Sequence, residues 1–420
     1  MEKRQRSPLL LMALTILIDF TGFGLVIPLL PFWALRLGAN ALEVGLIITI
    51  YALAQLLFTP VLGALSDRYG RKPVIVVSLV IEAVSLVVTA LAGSLPMLFL
   101  ARFIGGLGAS NIGSAQAVVS DVTSEKERAR GMGLIGAAIG LGFVIGPAAG
   151  GILAPKGQTL PFWIAAGVAL VNALLVLFFL PETRKRAASQ EIAPRKRRGL
   201  ALLFSGWRNA VRHPSVLGLV LVNLLYTIAF TAMETIFPLF THHTFGWGAS
   251  QNGYIFTYIG FIIVIMQGGL VGQLVKRWRE SRVLLAGLVL MTVGLISLAF
   301  STQFALLLVT LGLLSVGDGA VTPTVSTLLS FASPAEIQGE MLGLSQGVGG
   351  LGRIIGPLAA GSLYAFGAAV PFIAGGILVL LAALVALPAL SAVRRSTPLR
   401  TETAGVHGVT EPSSATQQRS

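Results

Sequence analysis

Six ionisable side chains fall inside long apolar runs of this 420-residue sequence: Asp19, Glu82, Arg102, Glu234, Asp318 and Arg353. Placed at the centre of a bilayer, each would cost about 2.5–3.5 kcal/mol on insertion scales, so such groups face a protein interior or a water path and serve ions or protons. A carboxyl withdrawn from water takes up and releases a proton, or holds a cation. An arginine beside it favours the charged form. No basic residue precedes Asp19 within its run, so proton binding is favoured there over a fixed ion pair. Asp318 and Arg353 lie in successive runs and suit an ion pair as well as proton chemistry. Gln55, Asn111, Gln116, Asn223, Tyr226, Tyr254, Tyr258 and Gln346 are polar spots that suit a cavity wall, although aromatics also anchor helices at membrane interfaces. His242-His243 reads as a solvated pair rather than a metal site. There is no cysteine, no metal-ligand cluster, no nucleophile–base pair and no phosphate loop. An enzyme, a metal or organic cofactor and ATP-driven chemistry are therefore not expected.

The elements that hold these groups are helices crossing a membrane. The composition is 55% hydrophobic and only 11% charged, with a mean hydropathy of +0.84. Soluble domains carry about 25% charged residues. A bilayer core of about 30 Å needs about 20 apolar residues per helix. Twelve runs of that size occur, at 8–34, 43–65, 73–92, 95–119, 131–154 and 160–180, then 215–240, 250–275, 282–301, 303–329, 340–364 and 369–391. A membrane barrel would instead show alternating segments of about 10 residues. The first run continues past Gly22 and Gly24 to Pro31 without a cleavage site, so an uncleaved first helix is expected.

The net charge of +13 gathers in a few loops. One set holds Arg68, Arg71 and Lys72, then Lys126, Arg128 and Arg130, then Arg184 to Arg198, then Lys276, Arg277, Arg279 and Arg282. The opposite set holds only Arg36 and Lys156. The positive-inside rule puts both termini and the central loop in the cytoplasm, in a multi-pass protein of the inner membrane. It also accounts for the basic charge without nucleic acid. At about 1.5 Å per residue, Asp19, Glu82, Asp318 and Arg353 fall near mid-depth, and Arg102 and Glu234 in the outer half.

The chain repeats itself at half its length. GMGLIGAAIGLGFVIGPAAGGIL (131–153) aligns with GEMLGLSQGVGGLGRIIGPLAAGSL (339–363), with Gly146-Pro147 and Gly356-Pro357 210 residues apart. GALSDRYGRK (63–72) has a weaker echo in GQLVKRWRESR (272–282), at 209 residues. An all-α membrane protein of two pseudo-symmetric six-helix halves follows, with its site between the halves near the midplane. The expected units are 1–181, a basic cytoplasmic linker at 182–213 broken by Pro194, a second half at 214–393 and a disordered tail at 394–420. A monomer in the lipid bilayer is expected.

Three motifs occur in order. Gly63-Ala-Leu-Ser-Asp67-Arg-Tyr-Gly70-Arg71-Lys72 joins the second and third runs. Its glycines permit a tight turn, Asp67 and Arg71 are placed to pair across it, and Asp67 also suits a helix N-terminus. Leu98-x3-Arg102-x2-Gly105-Gly106 puts an arginine in the fourth run. Gly142-x3-Gly146-Pro147-x2-Gly150-Gly151 gives the fifth run close packing and a bend. Together they resemble motifs A, B and C of the major facilitator superfamily, the last typical of its exporters. Asp19-Phe-Thr-Gly22-Phe-Gly24-Leu-Val-Ile-Pro28-Leu-Leu-Pro31 is similar to the first helix of tetracycline/proton antiporters and related drug exporters, and Phe245-Gly246-Trp247 to their loop after helix 7.

The resemblance covers residues 8–391. It implies that Gly63, Asp67, Gly70, Arg71 and Asp121 form a cytoplasmic gate whose charges steady the outward-facing state. It implies that Asp19 is the carboxylate needed for antiport, that Arg102 is linked to proton transfer, and that Gly142, Gly146, Pro147, Gly150 and Gly151 form the kinked antiporter helix. It puts Glu234 on a cavity-lining helix, where a carboxylate recognises a cation, and the third helix towards the outside. Two departures argue against tetracycline itself. Ser85 stands where the tetracycline exporters carry a helix 3 aspartate, with Glu82 one turn earlier, and 282–301 holds no aspartate, the nearest acid being Asp318. The expected function is proton-coupled export of small amphipathic, cationic compounds. The alternatives are transport of one metabolite (a sugar, organic acid or siderophore) and a non-transporting receptor.

Overall fold

The computed structural model describes residues 3–183, 199–334 and 336–396. Among them there is no strand. In the first half α1 spans Lys3–Arg36, α2 Ala41–Tyr69, α3 Arg71–Leu91, α4 Leu95–Val122, α5 Glu125–Leu153 and α6 Leu160–Phe179. In the second half α7 spans Pro214–Phe245, α8 Ala249–Trp278, α9 Glu280–Leu298, α10 Phe304–Ala332, α11 Gln338–Tyr364 and α12 Val370–Ser396. Eleven of these helices are long and apolar enough to cross a membrane. α11 has the length, at 27 residues, but it is rich in glycine, serine and glutamine. Its composition reflects its place, packed against α7 on one side and α2 on the other.

The outer surface is apolar. Phe178 is 72% exposed, Phe179 68% and Leu387 51%. In water such a belt would be an aggregation hazard; in lipid it is the solvated surface, as a multi-pass membrane protein requires.

The two halves share one packing plan. α1 lies on α5 as α7 lies on α11, α3 on α6 as α9 on α12, and α2 on α4 as α8 on α10. The repeated Gly-Pro pairs explain the first correspondence. A Cβ on Gly146 would come within 2.5 Å of the Thr21 carbonyl and 2.8 Å of the Leu25 amide in α1. A Cβ on Gly356 would run into Thr231 Oγ1 and come within 2.6 Å of the Ile228 carbonyl in α7. Only glycine permits either approach.

The halves meet along two seams, α2 with α11 and α5 with α8. In both, the closest contacts lie at the ends remote from the basic loops. Thr49 donates to the Ile354 carbonyl at 3.1 Å, and Gly45 and Gly361 bring α2 and α11 together through Pro357 and Ala41. Ser250 donates to the Gly151 carbonyl at 2.6 Å, and Gly253 lies against Gly151 and Pro147. Towards the basic end, Leu57, Val61 and Leu65 of α2 and Leu270 of α8 are exposed. The molecule is thus closed at one end, called outer here, and open at the other.

Three local features differ from a plain reading of the runs. α4 is interrupted by a 3-10 turn at Ala109–Asn111, and α8 by a wide turn at Met266–Leu270 around Gly268-Gly269. Residues Gly199–Arg212, within the segment read as linker, form an amphipathic helix. It docks on α11, with Ala210 buried, Gly206 against Leu344 and Asn209 donating to Glu340 at 3.1 Å. The rest of the linker from Arg184 to Arg198, and the tail from 397, lie outside the described residues.

Candidate functional site

The ionisable residues form two clusters, one per half. In the first, Arg102 of α4 and Glu82 of α3 are 5% and 7% exposed. The Arg102 guanidinium lies over the Tyr51 ring of α2, 4.2 Å from its centroid, a desolvated cation–π contact. Glycine makes room for it, since a Cβ on Gly105 would come within 3.3 Å of that ring. Gly108 lets α4 close on α3, where a Cβ would come within 2.9 Å of the Glu82 amide. The Glu82 and Asp19 carboxyl groups lie within electrostatic range of each other, and Arg102 is a cation within range of Glu82. Glu82 lies on the inward side of α3, 7% exposed. Ser85, also expected near this position, donates to the Ala101 carbonyl at 2.8 Å and joins α3 to α4.

Above this cluster Phe20 and Phe23 of α1 pack on Phe143 of α5 at 5.5 and 5.9 Å between centroids, and Phe23 reaches Tyr51 at 5.6 Å. These rings join α1, α2 and α5 within the first half.

The second cluster gathers Tyr226 and Glu234 of α7, Asp318 of α10 and Arg353 of α11. Asp318 is 7% exposed and Tyr226 8%. Tyr226 donates to Thr322 of α10 at 3.5 Å. Arg353 lies within electrostatic range of Glu234, Tyr226 and, across the halves, Tyr51. Of the two roles open to Asp318 and Arg353, the ion pair is not among the salt bridges of the described residues. Arg353 turns to α7 instead, because Gly352 packs on Thr227 while the Ile354 carbonyl accepts from Thr49 of α2. The residue between those two faces points to the centre, where it is exposed. Gln346, two turns earlier on the same face, is exposed as well.

The other polar candidates divide. Gln55 donates to the Ala109 carbonyl at 3.0 Å, at the interruption of α4. Asn223 donates to the carbonyl and hydroxyl of Ser345 at 2.8 and 3.0 Å, and Tyr258 to the Leu308 carbonyl at 3.1 Å. These three clamp neighbouring helices. Gln116 is half-buried in α4, Tyr254 is exposed beside Gly151, and the side chain of Asn111 lies outside the described residues.

At the basic end Arg71 pairs with Asp67 at 2.8 Å and Asp121 at 3.3 Å, all within the first half. The acid on the N-terminus of α3 is not Asp67. It is Glu182, just past α6, which accepts from the amides of Arg71 at 2.9 Å and Lys72 at 3.2 Å. Gly70, at φ +109°, leaves no room for a Cβ beside that carboxylate. Glu182 and Tyr51 were both missed in the sequence. Each acts through a partner distant in the chain, and only the need of buried Arg102 for a ring or an acid pointed to Tyr51. No group of His, Asp or Glu among the described residues suits a metal ion.

Known proteins resemble this chain along most of its length. The sequence profile of the Major Facilitator Superfamily matches residues 12–282 and 268–417. Multidrug resistance protein 1 of Bacillus subtilis (strain 168) is 32% identical over 375 residues, covering 89% of this chain and 93% of that protein. Tetracycline resistance protein, class B, of Escherichia coli is 29% identical over 357 residues, covering 83% and 86%. The crystal structure of the human organic anion transporter MFSD10 superimposes with a TM-score of 0.68 at 28% identity, covering 91% of this chain and 99% of that one.

Proposed function

The chain belongs to the major facilitator superfamily, and on that footing we propose that it is a proton-coupled antiporter exporting small amphipathic cations across the inner membrane by alternating access. The observation that supports this reading is the gathering of two carboxyl groups, Asp19 and buried Glu82, around buried Arg102 in the first half. Such a pair stores one proton. Water entering from one side takes the proton, and the anion left behind has Arg102 as its counter-charge. Glu234 and Asp318, in the other half, supply negative charge for a cationic substrate. The termini are cytoplasmic, the open end faces the cytoplasm, and the cytoplasmic charges Asp67, Arg71 and Asp121 steady the opposite arrangement. Each charge moved through 100 mV supplies about 2.3 kcal/mol, equivalent to a substrate gradient of roughly fortyfold.

The test is paired substrate and proton flux in proteoliposomes under an imposed pH gradient. Asp19→Asn keeps the size of the side chain and removes its proton exchange. Uphill transport and substrate-driven proton movement should both be lost, while downhill substrate movement persists. Uphill transport at the wild-type rate would remove Asp19 as the carrier. A second reading rests on Arg353, the ionisable group of the second cluster exposed at the centre, and on likeness to a protein described as an organic anion transporter. In that reading Arg353 binds a carboxylate or sulfonate. Arg353→Gln then abolishes anion flux, whereas under the cation reading Glu234→Gln has the larger effect.

A further inference from the structure

The outer face carries a cavity apart from both clusters. It has a volume of about 760 Å³, within the range of small-molecule sites. Its walls come from both halves: Leu35 and Leu42 of the first, Leu239, His242, Tyr364 and Phe366 of the second. It lies beside the seam where Phe32 of α1 meets His242 of α7 edge to face, 5.8 Å between centroids.

Three features select the charge of an occupant. The first is the tautomer of His242. Its Nδ1 lies 2.9 Å from the Trp247 carbonyl. A carbonyl only accepts, so Nδ1 carries the hydrogen, and in the neutral ring Nε2 presents a lone pair that wants a donor. The second is the set of helix ends. α1, α7 and α11 all finish at this cavity, and the negative ends of their dipoles favour a cation. α2 begins there, but its N-terminus is already occupied: Asn40 accepts from the Glu43 amide at 3.0 Å, and the Glu43 carboxylate accepts from the Asn40 amide at 2.8 Å. Arg36, in the last turn of α1, is the opposing charge. The third is aromatic surface. Phe366 is 80% exposed and Tyr364 stands beside it, offering ring faces to a cation.

We propose that this cavity binds an organic ammonium ion from the outer side and, by bracing the two halves, holds the outer seam shut. The walls come from both halves in the outer-closed arrangement, so a bound ligand stabilises that arrangement over the open one. An exporter of amines would then be slowed by its own product outside. The choice of an amine as product rests on the cation-export reading; the site does not.

The test uses the full chain in nanodiscs, where the absence of cysteine allows clean spin labelling at Ser94→Cys and Thr302→Cys, in exposed outer loops of the two halves. Tryptamine is titrated, with the neutral alcohol tryptophol as control. Tryptamine should raise the short-distance population and tryptophol should not. His242→Phe, which removes the lone pair, and Ala365→Trp, which fills the cavity, should each raise the half-maximal concentration about fivefold or more, as loss of one hydrogen bond or of the space predicts. Glu234→Gln should leave the response unchanged. No shift at saturating tryptamine, or a shift that survives both cavity variants, overturns the proposal. A shift lost in Glu234→Gln places the cation at the centre and overturns it too. If cation transport itself fails but the shift and its sensitivity to His242→Phe remain, the outer site stands without the export reading.

Discussion

Glu182 illustrates how one side chain organises the charges at the basic end. Two amides at the start of α3 point at its carboxylate. They are among the four donors that every helix leaves unsatisfied at its N-terminus, where the dipole favours an anion. The first of them belongs to Arg71, whose guanidinium holds Asp67 and Asp121. Glu182→Ala should therefore cost about 1–2 kcal/mol, the range of a lost helix cap, and should slow transport by loosening Arg71. Thermal unfolding in detergent measures the first effect and vesicle flux the second. A melting temperature equal to wild type would assign the carboxylate to solvent. Residues of this kind are the least legible in sequence. Asp67 and Arg71 are four apart, so their pairing follows from helix spacing, whereas Glu182 lies 111 residues from its partner. Consecutive helices left both an ion pair and proton chemistry open to Asp318 and Arg353; the rotation of α11 between two packed faces turns Arg353 towards α7.

Helices were far more legible than their facing. Apolar runs located the helices, and the repeated Gly-Pro marked which ones bend together. α11 falls short on apolarity because its glycine-rich faces pack closely on α7 and α2 and its Gln346 and Arg353 are polar, and lipid sets the composition only of surfaces that touch lipid. The internal repeat also exposes a difference between the halves. Gly70, between α2 and α3, sits at φ +109°, and Arg279, 209 residues later between α8 and α9, sits at φ +67°, with ψ 153°. That region is open to glycine and strained for a residue with a Cβ, at about 1–3 kcal/mol. Arg279 is exposed, so Arg279→Gly removes strain without opening a cavity. Glycine also enlarges the freedom of the unfolded chain, which leaves a net gain of about 1 kcal/mol, read as a higher melting temperature. A lower one would mean that the guanidinium holds this turn more strongly than the backbone resists it.

At the scale of the whole molecule, the proposed alternating access would require the outer seams to close and open as units, and glycine sets how closely they close. At Gly253 an added Cβ would come within 2.6 Å of the Gly151 backbone and 2.7 Å of the Pro147 carbonyl. Both obstacles are main chain on a neighbouring helix, so no rotamer change relieves them. Packed interfaces switch between discrete arrangements rather than deforming continuously, so the clash should act on the balance between states. Each 1.4 kcal/mol lost from the closed arrangement shifts that balance tenfold. Gly253→Leu should hold the outer ends apart. Labels at Ser94→Cys and Thr302→Cys should move to longer distances, and net transport should stop, because a carrier that cannot close outside cannot open inside. Gly253→Ala should give the same shift in smaller measure, and its graded effect separates a gate from a folding defect. The inner network of Arg71 with Asp67 and Asp121 lies wholly within the first half, so the substitution leaves it intact and monodisperse protein is expected. If Gly253→Leu transports at the wild-type rate with unchanged distances, the α5–α8 seam is a static weld, and the outer gate must be sought between α2 and α11, where Gly45 meets Pro357.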